Sequence, residues 1–455
     1  MTAFEEHMLV DDRPSHPMVI VARFDFVGEA PMAALASAFN AVVRREPLLT
    51  ARVVRSRFGR PRWMPGPLPE LHVSKTASPP KPPDVSVPRL DPEIGPMVHA
   101  EVIVYPAGWS LVVVLHHAAC DGLGMMGFME RWLLAAAGRE GHLSRQATDV
   151  LACLRGRGRV ATSWRGFVRM LPGLSVGIAG VRQFISRRVA GLGGRRVTLP
   201  DMPDMPSISK PPEFIVADID PATYAEVKAR GRADGVTVND LLAASLMATI
   251  ADVADTQGAA AAGDAWIRLS VPISLRTKSD DLLPAANRVS MVFLDRTREQ
   301  CNNQRSLVEG IHTEMDLIRL HALGHILPLS LEAGRLAPGG LARTAKSTKP
   351  QATAVLSNLG WCFHRFPLVD DSGTLRLGNS HLEGWWFVPP VRPGTPLAVA
   401  THETCGRRTI AAHVDTTALD PAVASAILAG CADRLLVLAR QPPATAEPSA
   451  EVIAS

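Results

Sequence analysis

The apolar positions of this chain fall into two successive series of strands and helices. The β-forming run at 18–26 (MVIVARFDF) predicts a strand, and 31–45 (PMAALASAFNAVVRR) carries helical spacing behind a proline suited to a first turn. HAEVIVY (99–105) and SLVVVL (110–115), separated by Pro106, Ala107 and Gly108, predict a hairpin, and 125–137 (MMGFMERWLLAAA) predicts a helix. The order then begins again. FIVADI (214–219) reads as a strand, 222–234 as a helix, and 235–254 (GVTVNDLLAASLMATIADVA) as a long apolar-faced helix that Asn239 can cap. Further strands are expected at 266–275, 288–294, 352–360, 396–403 and 409–415, and a last helix at 421–438. The pattern predicts two α/β halves, 1–200 and 201–440, joined by a connector with five prolines at 200–212, followed by a disordered tail at 441–455.

Composition fits that picture: 455 residues with 47% hydrophobic and 20% charged side chains can fill large cores. A net charge of +4 is too small over this length to indicate a nucleic-acid partner. The charge is local, because residues 151–200 hold ten arginines and no acid, leaving 38 basic against 44 acidic residues elsewhere. Six cysteines without a CxxC pair suggest neither a zinc module nor a disulfide framework and fit a reducing compartment. The opening MTAFEEHMLVDD is acidic where a secretory signal would be basic, and no apolar run reaches about 18 residues. A cytoplasmic protein is expected, with peripheral contact to the inner face of a membrane.

Three chemistries compete for 111–132 (LVVVLHHAACDGLGMMGFMERW). Gly122, Gly124 and Gly127 satisfy GxGxxG, but HHAACD separates the first glycine from the strand and sets Asp121 where a pyrophosphate needs positive potential. The glycines then serve helix packing, and no bound cofactor is expected. A metal held by His116, His117 and Asp121 is disfavoured because neighbours on a strand point to opposite faces. Acid/base chemistry remains: if the strand continues to His117, its imidazole shares a face with Leu111 and Leu115, whose apolar surroundings favour the neutral, basic form. The alternative for a single histidine is a hydrogen-bonded core residue.

His116-His117-Ala118-Ala119-Cys120-Asp121-Gly122 resembles the HHxxxDG motif of the chloramphenicol-acetyltransferase-like acyltransferases, which include condensation domains and the bacterial wax ester synthase/diacylglycerol acyltransferases. RREPLLTARV (44–53), GPMVHAEVIV (95–104), GVTVNDLLAA (235–244), VPISLR (271–276), ANRVSMVFL (286–294) and LSNLG (356–360) are similar to the wax synthase branch. The opening FEEHMLVDDRPSHPM departs from that branch's usual Pro-Leu-Ser-type start.

The resemblance implies two chloramphenicol-acetyltransferase-like α/β sandwich halves with a tunnel between them. It implies His117 as general base and His116 as a residue that shapes the loop. Asp121 supports the site through an ion pair for which Arg276 is the candidate, and Gly122 permits close backbone approach. From context alone Asp121 is equally an N-cap for the helix that follows. Asn239, Asp240, Asn287, Ser357 and Asn358 match family positions, with Ser357 a candidate oxyanion donor; a helix cap for Asn239 and polar strand ends or turns for Asn287 and Ser357 are the structural alternatives.

The reaction implied is transfer from acyl-CoA, a co-substrate, to a hydroxyl acceptor, giving a wax ester or triacylglycerol-type product. The alternatives are condensation on carrier-protein-bound substrates and a noncatalytic condensation-like binding protein.

Gly173-Leu174-Ser175-Val176-Gly177 satisfies the GxSxG nucleophile elbow, yet GFVRMLP before it contains Arg169 and Pro172 where a buried strand is needed. Residues 165–188 instead combine an uncharged stretch with Arg165, Arg169, Arg182, Arg187 and Arg188, which suits shallow contact with anionic lipid. The alternative is a helix packed on the protein with its arginines in water.

Overall fold

The computed structural model describes residues 1–56, 59–82, 85, 87–139, 154–158, 168, 170–192, 213–256, 265–337, 340–342 and 350–441. The strands are β1 (Val19–Val27), β2 (Ala51–Ser56), β3 (Gly59–Pro65), β4 (Leu71–Lys75), β5 (Val98–Tyr105), β6 (Gly108–His116), β7 (Glu213–Ile219), β8 (Ile267–Ser274), β9 (Val289–Arg296), β10 (Ala354–Trp361), β11 (Arg376–Leu377), β12 (Ser380–Val388), β13 (Leu397–Thr404) and β14 (Arg407–Val414). The α-helices are α1 (Ala3–Asp11), α2 (Met32–Val43), α3 (Gly122–Ala136), α4 (Leu174–Ser186), α5 (Pro221–Ala233), α6 (Val238–Thr256), α7 (Arg298–Asn302), α8 (Gln304–Leu320), α9 (Ile326–Gly334) and α10 (Pro421–Arg440).

Two six-stranded sheets, ordered β11-β12-β1-β6-β5-β4 and β7-β14-β13-β10-β8-β9, form the mixed α/β body. Along β1, Ile20, Ala22, Phe24 and Phe26 join one core with Phe39 of α2 and Phe128 and Trp132 of α3. The intervening Val19 and Val21 pack with Val112, Val114 and Val388 against Phe214 and Ala411 of the second sheet. Both faces of these strands are therefore covered here, which is why Val19 to Ala22 of β1 and Leu111 to Leu115 of β6 are continuously apolar instead of alternating. In the second half α6 and α10 bury their apolar faces against the strands from Ile267 to Val414. On length and composition α10 could cross a membrane, but its Ile427, Leu428, Cys431 and Leu435 are core residues here.

The predicted strands and the hairpin are present, but their assembly crosses the expected boundary at residue 200. β12, from the 201–440 stretch, pairs antiparallel with β1 from Val21↔Val388 to Val27↔His381, with a register shift at Asp25/Phe26. The first sheet thus takes two strands from beyond residue 200, and the sheets are linked by chain as well as by packing. The connector at 200–212, the tail beyond Gln441, and Arg165 and Arg169 lie outside the described residues.

Two local expectations need correction. Asn239 does not cap α6: Thr237 does, its Oγ1 accepting from Asp240 N at 3.2 Å while Asp240 Oδ2 accepts from Thr237 N at 2.9 Å. This reciprocal box satisfies two otherwise free amides, which a cap at Asn239 would not. β6 ends at His116, so His117 lies in the turn that follows and not on the strand.

Candidate active site

The turn after β6 holds its histidines through main-chain contacts. His117 N donates to Met18 O at 2.7 Å, tying the turn to the residue before β1. His117 Nδ1 lies 3.0 Å from Cys120 O. A carbonyl only accepts, so Nδ1 carries the proton and Nε2 keeps its lone pair. The ring is buried among apolar side chains and lines a cavity of about 90 Å³ with Met8, Met18, Ile20, Val289 and Met291. Burial holds His117 below the ordinary histidine value, against the opposing pull of the Asp121 carboxylate. At neutral pH the imidazole is an uncharged base.

His116 faces away from this cavity. Its Nδ1 accepts from Ala118 N at 3.1 Å, which places the proton on Nε2, 3.8 Å from Asp12 Oδ2. Asp12 in turn accepts from Met18 N at 2.9 Å and meets Arg89 at 3.3 Å. Burial pushes Asp12 up, but the nearby His116 ring and the Met18 amide outweigh it and hold its carboxyl below the usual carboxylate range. His116 therefore shapes the turn from behind.

Asp121 makes both of the contacts expected of it, one with each oxygen. Oδ1 accepts from Gly124 N at 2.8 Å and caps α3. Oδ2 accepts from Arg276 Nη1 at 2.7 Å and from Arg288 N at 2.7 Å. Each oxygen of the buried carboxylate is thus paired, as burial of a charge requires.

The segment before β9 acts as a strap across the turn. Asn287 Nδ2 donates to both His117 O and Ala118 O, and Arg276 Nη2 donates to Ala286 O at 3.0 Å. Ala285 N donates to Glu46 Oε2 at 2.6 Å, while Glu46 Oε1 accepts from Arg131 of α3. Glu46 is nearly inaccessible and links the two halves, but beside Arg44 and Arg45 in RREPLL it carries no local signal of that role. Gly122 and Gly124 allow close packing: a Cβ at Gly122 would sit 2.7 Å from Leu359 Cδ2, and one at Gly124 2.9 Å from Ala286 O.

Ser357 and Asn358 of β10 line the same cavity as His117, and the Ser357 hydroxyl makes no hydrogen bond among the described residues. Asn358 Nδ2 is 3.4 Å from Asn239 Oδ1. Both asparagines border a second cavity of about 500 Å³, which shares Pro272, Ser274, Arg276 and Asn358 with the first. Asp240 lines neither cavity; besides its part in the α6 cap it meets His312 Nδ1 at 2.8 Å. Arg392, which no sequence motif singles out, also lines the first cavity and pairs with Asp11. Burial pulls Arg392 down to about 10, and burial followed by Arg392 pulls the adjacent His7 down to about 3.

Other motifs resolve differently. Ser175 is exposed within α4, with no strand leading into it, so GxSxG forms no nucleophile elbow. No cluster of three or more potential metal ligands occurs among the described residues.

No family model and no curated protein matches the chain. Solved structures do. The first condensation domain of the CDA synthetase superposes with a TM-score of 0.66 at 13% identity, covering 98% of this chain and 97% of that one. Polyketide synthase associated protein 5 from Mycobacterium tuberculosis gives 0.61 at 15%, covering 96% of each. A point mutant of the starter condensation domain of rhizomide synthetase, in complex with C8-CoA, gives 0.65 at 15%, covering 97% of this chain and 94% of that one. The chain has the chloramphenicol-acetyltransferase-like fold of condensation domains.

Proposed function

We propose that the protein is a condensation-type acyltransferase that moves an acyl group from a thioester to an acceptor hydroxyl, with His117 as general base. The observation that carries this reading is the His117 ring, protonated on Nδ1 by its contact with Cys120 O, which leaves Nε2 with its lone pair in a residue that lines a cavity between the two halves. Nε2 takes the hydroxyl proton as the oxygen attacks the thioester carbonyl. Collapse of the tetrahedral intermediate breaks the C–S bond, and the departing thiolate recovers the proton. No acyl-enzyme forms and no metal or bound cofactor takes part. The Asp121 carboxylate stabilises the transient imidazolium, and the Ser357 hydroxyl is assigned to the developing oxyanion.

Acyl-CoA is the proposed donor and a long-chain alcohol or diacylglycerol the proposed acceptor. The apolar walls of the first cavity, Met8, Met18, Ile20 and Met291, support an aliphatic acyl chain, and the C8-CoA in complex with a structure of the same fold supports the donor. The near-complete overlap with a synthetase condensation domain supports a second reading, in which a carrier protein presents the acyl group.

Purified protein incubated with mixed acyl-CoAs and with alcohols, diacylglycerol or amines, followed by free-thiol release and mass spectrometry, tests the assignment. Ester formation is expected with the wild type, and His117→Ala should lose about 10²- to 10⁴-fold in rate. Full activity in that variant would reject His117 as the base.

A further inference from the structure

The helix α4 presents its apolar residues in an unexpected direction. Leu174, Ile178, Val181 and Ile185 follow one another at spacings of four, three and four, which places them in a single stripe along a helix. That stripe faces outward, and Ile185 is 77% exposed. The helix is held by other positions. A Cβ at Gly177 would sit 2.2 Å from Ile326 Cδ1, Phe184 packs on Phe293 at 4.6 Å, and Arg187 lies 3.6 Å over the Trp266 ring. A helix packed on the body with its polar face in water would show the reverse arrangement.

Two further observations identify what covers the stripe. Arg182 and Arg188 are exposed and make no ion pair among the described residues, in a stretch from 151 to 200 that contains no acid. The segment supporting α4 also borders the larger cavity: a Cβ at Gly173 would lie 2.5 Å from His321 Cβ, and the neighbouring Ala322, Gly324 and His325 line that cavity. Thirteen residues make a helix too short to span a bilayer but of suitable length to lie in its interface.

We infer that α4 seats the protein on an anionic lipid bilayer, with its apolar stripe among the acyl chains, Arg182 and Arg188 at the headgroups, and the larger cavity beside the membrane. Delivery of a lipid acceptor through that cavity rests on the acyltransfer reading; the seat itself does not.

The test is flotation of the full chain with phosphatidylcholine vesicles, with and without about 30% phosphatidylglycerol to supply negative surface charge. The wild type should float with the anionic vesicles and lose binding at high salt. Ile178→Asp/Ile185→Asp and Arg182→Gln/Arg188→Gln should each weaken partitioning about tenfold or more while turning over a soluble short-chain acceptor at the wild-type rate. Their rates on a vesicle-embedded acceptor should fall in step with binding.

Undiminished partitioning of either variant would overturn the seat, as would absence of binding by the wild type. So would a wild-type dimer, measured by light scattering without vesicles, that the apolar variant converts to monomer; a second copy would then cover the stripe. His117→Ala should bind vesicles normally. Normal, substitution-sensitive binding by a wild type that transfers no acyl group would reject the acyltransfer reading and leave the seat intact.

Discussion

The side-chain amide of Asn287 donates to the main-chain carbonyl of His117 across 170 residues of chain. The same nitrogen reaches Ala118 O at 3.0 Å. Asn287 therefore fixes the backbone from which the basic imidazole projects without lining the cavity that holds the ring.

Asn287→Ala leaves both carbonyls without that donor. A loss of about 1–3 kcal/mol in stability is expected from the unpaired buried groups, together with a fall in kcat larger than any change in KM. Denaturant titration and steady-state kinetics check this. An unchanged kcat in a stable variant would show that the turn holds its geometry without the strap.

Arg276 tests the ion pair separately from the helix cap. In Arg276→Ala, Asp121 Oδ2 keeps the Arg288 amide but loses its charged donor, at an expected cost of about 1.5–3 kcal/mol. Arg276→Lys should recover part of that stability but less of the activity, because an ammonium cannot serve Asp121 and Ala286 O with one rigid fork. Equal kinetics in the Lys variant and the wild type would make the fork geometry irrelevant.

The proposed base also predicts a pH dependence. Neutral His117 is the active form, and burial lowers its folded value. Protonation inactivates, so kcat/KM should rise with pH and reach its plateau with a midpoint below about 6.5, the ordinary histidine value. An acid limb centred above that value would contradict the neutral, desolvated ring.

Stability should show a related acid dependence. Burial holds His413 at about 4 and His7 at about 3, whereas the unfolded chain titrates both near about 6.5. Above that value neither state is protonated at these positions. As pH falls below it the unfolded state alone takes up protons, each histidine removing about 1.4 kcal/mol per pH unit until its folded value is reached. Thermal melts between about pH 7.5 and about pH 4.5, a window that brackets the unfolded histidine value, should show Tm falling. Replacing His413 with Gln should flatten that fall.

Much of the site was legible because its chemistry lies in seven consecutive residues. His117 lies in the turn after β6, Asp121 caps α3 and Gly122 starts it, and each of these has a local pattern. Arg276 was identified by family resemblance, since a single arginine at a strand end reveals nothing about a carboxylate 155 residues away. The cap of α6 was legible but misassigned: Thr237 and Asp240 have the three-residue spacing of a capping box, whereas Asn239 merely has a cap-forming side chain. Glu46, Met8 and Arg392 reach the site through contacts between distant segments, and no periodicity encodes these.

By itself the sequence determined β1, β5 to β10, β13 and β14, the helices α2, α3, α5, α6 and α10, and the HHAACDG turn, because period-two and helical spacing and residue chemistry act over a few residues. Only the tertiary structure decided that β12 joins β1, that the strap at 285–288 grips the turn, and that the apolar stripe of α4 faces outward. These depend on which distant surfaces meet, and the burial that selects among such meetings is nondirectional and set by the whole chain.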